Sequence, residues 1–169
     1  MTMDAAEFDA FYTGSFRRIV GQVTAMTGNR DEAQECVQEA FVRAWSHRRE
    51  LSQAHSPDAW VRTTAYRLAV SRWRREQLAR RRPDRALQAL PQPTGPNESR
   101  VALMTALARL PEDQRRALVL HHLCDLPVRE VAAEVGVPEG TIKARLSRGR
   151  AALLGLLCDS PTKTEVTHV

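Results

Sequence analysis

The chain is expected to be all α: two small helical domains joined by a proline-rich linker, the C-terminal one containing a helix-turn-helix. Three observations predict this. Aromatic residues make up only 5% of the 169-residue chain and alternating runs of Val, Ile and Thr are scarce, whereas Ala, Leu, Arg, Glu and Gln abound. Apolar residues recur at spacings of three and four through both halves. Between the halves, PDRALQALPQPTGPNES holds prolines 83, 91, 93 and 96 with Gly95 and has no helical period after Leu90, as an extended tether would. A hydrophobic content of 43% is enough to give each half a compact core. The expected boundaries are 1–82 and 97–158 for the domains, 83–96 for the linker and 159–169 for a short polar tail.

The first half resolves into three helices. Phe8, Phe11, Tyr12, Phe16, Ile19, Val20 and Val23 mark one over about residues 4–26, stopped by Gly28 and Asn29. Asp31 and Glu32 open a second, negative where the helix dipole favours it, with Ala33, Val37, Ala40, Phe41 and Ala44 as its apolar stripe up to Trp45. A loop is expected over 46–55. Ser56, Pro57 and Asp58 then supply an N-cap, a first-position proline and an early acid for a helix running to about Arg80. In the second half, Asn97 can cap a helix bearing Val101, Leu103, Met104, Ala106 and Leu107, and Leu110-Pro111-Glu112 starts another with Leu118, Val119 and Leu123. Helices over 128–135 and about 138–157 follow, separated by the Gly136-Val137 turn that a helix-turn-helix requires.

A formal net charge of +5 suggests an anionic partner, and its placement says more than its size. Arginines 72, 74, 75, 80, 81, 82 and 85 crowd one stretch, and Lys143, Arg145, Arg148 and Arg150 another that has no acid. Cys36, Cys124 and Cys158 stand far apart without a CxxC pair, so neither a disulfide framework nor a zinc ribbon is implied. The histidines 121 and 122 with Cys124 have metal-like chemistry, but neighbouring helical positions point about 100° apart, and packing or surface roles fit better. No cofactor or metal is expected. No apolar run approaches the roughly 18–20 residues of a membrane span, and the acidic N-terminus does not resemble a secretion leader. A cytoplasmic protein without a membrane partner is expected.

In the last helix Ile142, Leu146, Gly149 and Leu153 share one side, while Glu139, Lys143, Ala144, Ser147 and Arg148 share the other. The apolar side can seat against Val131, Ala132 and Val135, holding the helix at a fixed angle for a major groove. Lys143 and Arg148 suit base edges or nearby phosphates, and Arg145 and Arg150 suit flanking phosphates. Pro138 at the first helical position and Gly140 in the first turn leave bare amides for phosphate. A charge run is more often a solvated face, yet turn glycine, starting proline, apolar register and an outer face free of acid from 141 to 150 agree here.

LPVREVAAEVGVPEGTIKARLSRGRAAL resembles the fourth conserved region of bacterial extracytoplasmic-function (ECF) sigma factors. DEAQECVQEAFVRAW, 31–45, resembles their region-two helix that docks on the clamp helices of the RNA polymerase largest subunit, and WVRTTAYRLAVSRWRR, 60–75, their minus-ten-reading helix. The resemblance implies a non-enzymatic initiation factor that binds core RNA polymerase, through the clamp and the flap of the second subunit, and promoter DNA. It implies polymerase contacts at Glu35, Gln38, Glu39 and Arg43. Minus-ten contacts fall at Arg62, Arg67, Arg72, Arg74 and Arg75, and a pocket for a flipped base falls in 48–58, where Arg49, Ser52, Gln53 and His55 carry donors. Minus-thirty-five contacts fall at Thr141, Lys143, Ala144, Arg145, Ser147, Arg148 and Arg150. Many members of the family are held by an anti-sigma factor. Trp60 fits the core, Trp73 either core or base stacking, and Cys36 a small buried apolar position.

The sequence departs from the family at Arg67, where asparagine is frequent, and at Ala144 and Ser147 on the recognition helix, where some members have serine and a bulky aromatic. Base preference lives at such positions. A conventional helix-turn-helix regulator would instead carry a ligand or dimerisation domain in place of 31–75. A nuclease would need clustered carboxylates or a nucleophile with its base, and neither pattern is present.

Overall fold

A computed structural model of the chain describes residues 2–54, 56–80 and 98–159. The expected linker, the cap at Asn97, His55 and all but the first residue of the expected tail lie outside the described residues. Asp4 starts the first helix, α1 (Ala5–Thr27): its carboxylate accepts the Glu7 amide while the Glu7 carboxylate accepts the Asp4 amide, a reciprocal capping box. Gly28 ends α1 with φ 82°, a left-handed conformation that costs a glycine nothing. In α2 (Arg30–Ser46), the Asn29 side chain accepts the Glu32 amide at 3.1 Å.

The expected loop over 46–55 is instead mostly helical. Residues Arg48–Gln53 form a short helix, α3, whose Leu51 is fully buried. A single apolar anchor makes no period, which is why the sequence pattern does not show it. The helix α4 (Pro57–Arg80) begins where expected, with the Ser56 hydroxyl accepting the Ala59 amide at 3.2 Å. Helices α1, α2 and α4 pack on one another around Phe41, whose ring meets those of Phe8, Phe11, Tyr12 and Phe16 at centroid distances of 6.2, 5.4, 5.0 and 6.1 Å.

The second domain comprises α5 (Glu98–Ala108), α6 (Glu112–Leu118), α7 (Val128–Val135) and α8 (Glu139–Cys158). The helix expected from 110 to 123 does not continue regularly. After α6 it widens into a π turn over Val119–Leu123, where the Cys124 amide bonds to the Val119 carbonyl at 3.0 Å. A five-residue hydrogen-bond step leaves the apolar pattern almost unchanged and so escapes periodicity. Gly136, with φ 79°, ends α7. Pro138 is extended, with ψ 151°, and is the cap residue preceding α8 rather than its first helical residue.

Ile142, Leu146 and Gly149 of α8 are buried, and α8 packs on α6 and α7. A β-carbon at Gly149 would lie 3.0 Å from Leu118 Cδ1 and 3.4 Å from Gln114 Cβ, so α6 and α8 approach as closely as a glycine allows. Gly149→Val is therefore expected to cost about 1–3 kcal/mol through overpacking. A fall in the urea midpoint of the chain checks this; an unchanged midpoint contradicts it.

No strand occurs among the described residues, and no helix among them is long and apolar enough to cross a membrane. The two domains touch: α1 packs against α5, α6 and the π turn, and the buried side chains of both form one apolar cluster.

Candidate nucleic-acid interface

The outer side of α8 is open. Lys143, Ala144, Ser147, Arg148 and Arg150 are exposed, while Thr141 is half-buried. Among the described residues no ion pair engages Lys143, Arg148 or Arg150; Arg145 alone on this helix meets an acid, Asp113 of α6 at 3.5 Å. The side facing Val131 and Ala132 is apolar and closed. One helix thus carries a packed face and a cationic face in fixed relation, as groove insertion requires.

On α2, Glu35, Gln38 and Arg43 are exposed and Glu39 is half-exposed. Arg72 of α4 reaches across to them, with Nη1 donating to Glu35 at 3.1 Å and Nη2 to Glu39 at 2.8 Å, while Arg43 donates to Glu39 at 2.7 Å. The Arg43 hydrogen bond, helped by that of Arg72, outweighs desolvation and holds the Glu39 carboxyl below its usual range. Arg72, expected with the minus-ten set, is thus joined to the docking set. A cleft beside this network is lined by Leu68, Arg75 and Glu76 as well.

The remaining minus-ten positions divide. Arg67, Arg74 and Arg75 are exposed along α4, and Arg49 and Gln53 are exposed on α3. The Ser52 hydroxyl donates to the Arg48 carbonyl and accepts the Met3 amide, both at 2.7 Å, so it ties the N-terminal segment to α3. His55 lies outside the described residues. Trp60 is half-buried with its ring 6.0 Å from that of His47, and Trp73 is 39% exposed.

Arg62 differs from all of these, because only 3% of it is exposed. Its Nε and Nη2 donate to the two carboxylate oxygens of Glu134 on α7 at 2.9 and 2.7 Å, and Nη1 donates to Gln22 of α1 at 3.2 Å. Burial works against its charge, but the Glu134 hydrogen bonds and charge prevail and its pKa is raised. In this arrangement Arg62 is closed to DNA. One turn along α4, the Tyr66 hydroxyl donates to Glu112 of α6 at 2.5 Å, and the Arg116 guanidinium lies 4.1 Å above the Tyr66 ring. Glu134, Glu112, Tyr66 and Arg116 were not among the residues expected to matter. The available signal was slight: an arginine in register with the buried Val61, Ala65, Tyr66 and Ala69.

Cys36 is buried and burial raises its thiol pKa; burial likewise pushes Cys124 up to about 11, so neither is a ready thiolate. The described residues contain no group of three or more His, Cys, Asp or Glu placed to hold a metal.

Residues 11–79 match sigma-70 region 2 and residues 100–153 match sigma-70 region 4. Over 137 residues the chain is 31% identical to the ECF RNA polymerase sigma factor EcfG of Rhodopseudomonas palustris, covering 79% of this chain and 75% of that protein. The chain belongs to the ECF sigma factors of the sigma-70 family. This ECF sigma factor directs RNA polymerase to promoters, and the conventional regulator is not favoured. It is also 28% identical to the RNA polymerase sigma-H factor of Pseudomonas aeruginosa, over 89% of this chain and 86% of that one. The fold matches that of the sigma factor RpoE from Bartonella quintana, solved in complex with the anti-sigma factor NepR. The TM-score is 0.77 at 23% identity, over 92% of this chain and 99% of that one.

Proposed function

We propose that this ECF sigma factor uses two promoter grips held by polymerase, with the domain limits 1–82 and 97–158 given above. The observation that carries this reading is the outer face of α8, which has no acid from 141 to 150, with Lys143 and Arg148 exposed beside a helix seat of Val131, Ala132, Ile142 and Leu146. Those two side chains read base edges in the minus-thirty-five duplex, and Thr141, Arg145 and Arg150 contact its phosphates. Arg49 and Gln53 on α3 and Arg67, Arg74 and Arg75 on α4 hold the minus-ten strand. Glu35, Gln38, Glu39 and Arg43 dock on the clamp, and Arg72 positions the first and third of these as well as lying beside the DNA. The flap of the second subunit holds the second domain.

In this reading the protein performs no chemistry of its own and works in the cytoplasm, where its polymerase is. An anti-sigma factor is a further partner, by analogy with RpoE and NepR.

The purified chain is expected to co-elute with core RNA polymerase on a sizing column and to bind promoter DNA tightly only in that complex. Reversing both docking acids, Glu35→Arg with Glu39→Arg, is expected to weaken the polymerase complex at least about tenfold, since it inverts the charge of the docking face and sets like charges against Arg72 and Arg43 where hydrogen bonds now hold that face in order. Sequence-specific DNA binding by the free chain without polymerase association would sink the proposal.

A further inference from the structure

The contact between the two domains has an unusual composition. Besides the apolar cluster shared by the two domains, a guanidinium and a carboxylate meet there with side chains only 4% and 6% exposed. The partners, Arg62 and Glu134, come from opposite domains. A buried ion pair of this kind is a weak adhesive, because the cost of stripping water from both charges offsets most of their attraction. It is, however, highly conditional: each charge tolerates burial only while the other is present, and both regain water when the domains part. Such a pair suits a contact that must open.

The acids sit where an anion would. Arg62 and Tyr66 are four residues apart and share one side of α4, and each holds a carboxylate of the second domain, Glu134 and Glu112 respectively. Two parallel N–H donors on two oxygens is also the way arginine takes a phosphate. The line continues into a cleft of about 390 Å³ between the domains, where Arg67, Arg74, Arg116 and Arg145 face the second-domain acids Glu112 and Asp113.

The closed arrangement also conflicts with promoter binding. Elements centred at minus ten and minus thirty-five lie about 25 base pairs apart, or about 85 Å at about 3.4 Å each, whereas here the first and second domains are in contact. The 17 residues 81–97 that join them can reach about 60 Å at about 3.5 Å per residue. Adding the breadth of the domains, that is length enough to bridge the separation once the contact is broken.

We propose that Glu134 and Glu112 act as intramolecular stand-ins for DNA phosphates, occupying the anion-holding face of α4 in the free chain and yielding it to single-stranded promoter DNA when the domains part. The two acids thereby close the molecule on itself and mask Arg62. The assignment of DNA to α4 rests on the reading above; the closure does not.

The test compares the full chain with the variant Glu112→Gln/Glu134→Gln by small-angle scattering, and measures binding of both to a fluorescent 20-nucleotide single-stranded DNA. Because removing two acids strengthens DNA binding anywhere on the surface, Asp9→Asn/Asp31→Asn serves as the charge-matched control. The double glutamine variant is expected to expand in radius of gyration by at least a quarter at unchanged helical circular dichroism, and to bind the oligonucleotide at least fivefold more tightly than the control. Tyr66→Phe, which removes only the hydroxyl donor, is expected to move both readouts the same way by less and covers the case in which the double variant unfolds. An unchanged radius in the folded variants overturns the closure, and tightening no greater than the control's overturns the stand-in role. Scattering needs neither polymerase nor promoter, so failure of the initiation-factor reading would show in polymerase co-elution and leave the radius unaffected.

Discussion

Arg148→Ala is expected to cut transcription from the cognate promoter about five- to 150-fold while leaving co-elution with core polymerase unchanged. The range corresponds to the roughly 1–3 kcal/mol that one good base-edge contact contributes to discrimination. Arg148 is exposed on α8 on the side away from Val131 and Ala132, and among the described residues no acid pairs with it, so truncation removes no fold contact. The loss must then arise in DNA binding. Lys143→Ala separates base reading from phosphate contact on the same face. If Lys143 touches phosphate, promoter binding weakens evenly across sequences and the salt dependence loses about one counterion; if it reads a base, preference at one position relaxes. Unchanged transcription in Arg148→Ala would remove that residue from the groove.

Phe41→Ala is expected to have the largest effect on stability, about 3–5 kcal/mol for a buried aromatic truncated in a packed core. The ring is 3% exposed and at the centre of contacts with Phe8, Phe11, Tyr12 and Phe16, four rings that would all face the resulting cavity. Total stabilities of about 5–15 kcal/mol are usual for domains, so a loss of this size removes a large part of the margin. The melt followed by circular dichroism should shift down sharply, and polymerase co-elution should fall with it because α2 is held in place by this core. A melt within a degree or two of the parent would contradict the account.

The sequence pattern revealed the long elements and missed the short or distributed ones, for identifiable reasons. The extents of α1, α2 and α4 were visible from apolar spacing with the Gly28-Asn29 stop, from the acids Asp31 and Glu32, and from Ser56 before proline, whereas the Asp4–Glu7 capping box and the Asn29 cap emerged only in the folded chain. The two sides of α8 were visible because a 20-residue helix repeats its register five times over. By contrast, α3 rests on Leu51 alone, and the π turn changes hydrogen bonding without changing composition. The site itself was half legible. Local spacing placed Glu35, Glu39 and Arg43 on one face, but the bridging of Arg72 to them depends on how α4 packs against α2. The burial of Arg62 depends on a partner 72 residues away, and a charged residue carries no mark of whether it will meet water or a distant acid.

Finally, the two sides of α8 are under separate constraint. Ile142, Leu146 and Gly149 cannot change without disturbing α6 and α7, and Gly149 in particular has no room for even one added carbon unless Leu118 gives way. Positions 143, 144, 147 and 148 project outward and have no packing duty. Substitutions there leave the scaffold indifferent, so under the proposed promoter reading selection can move this protein from one set of target genes to another in single steps, each viable as a folded molecule. The same separation makes those four positions the place to begin if the protein is to be retargeted by design.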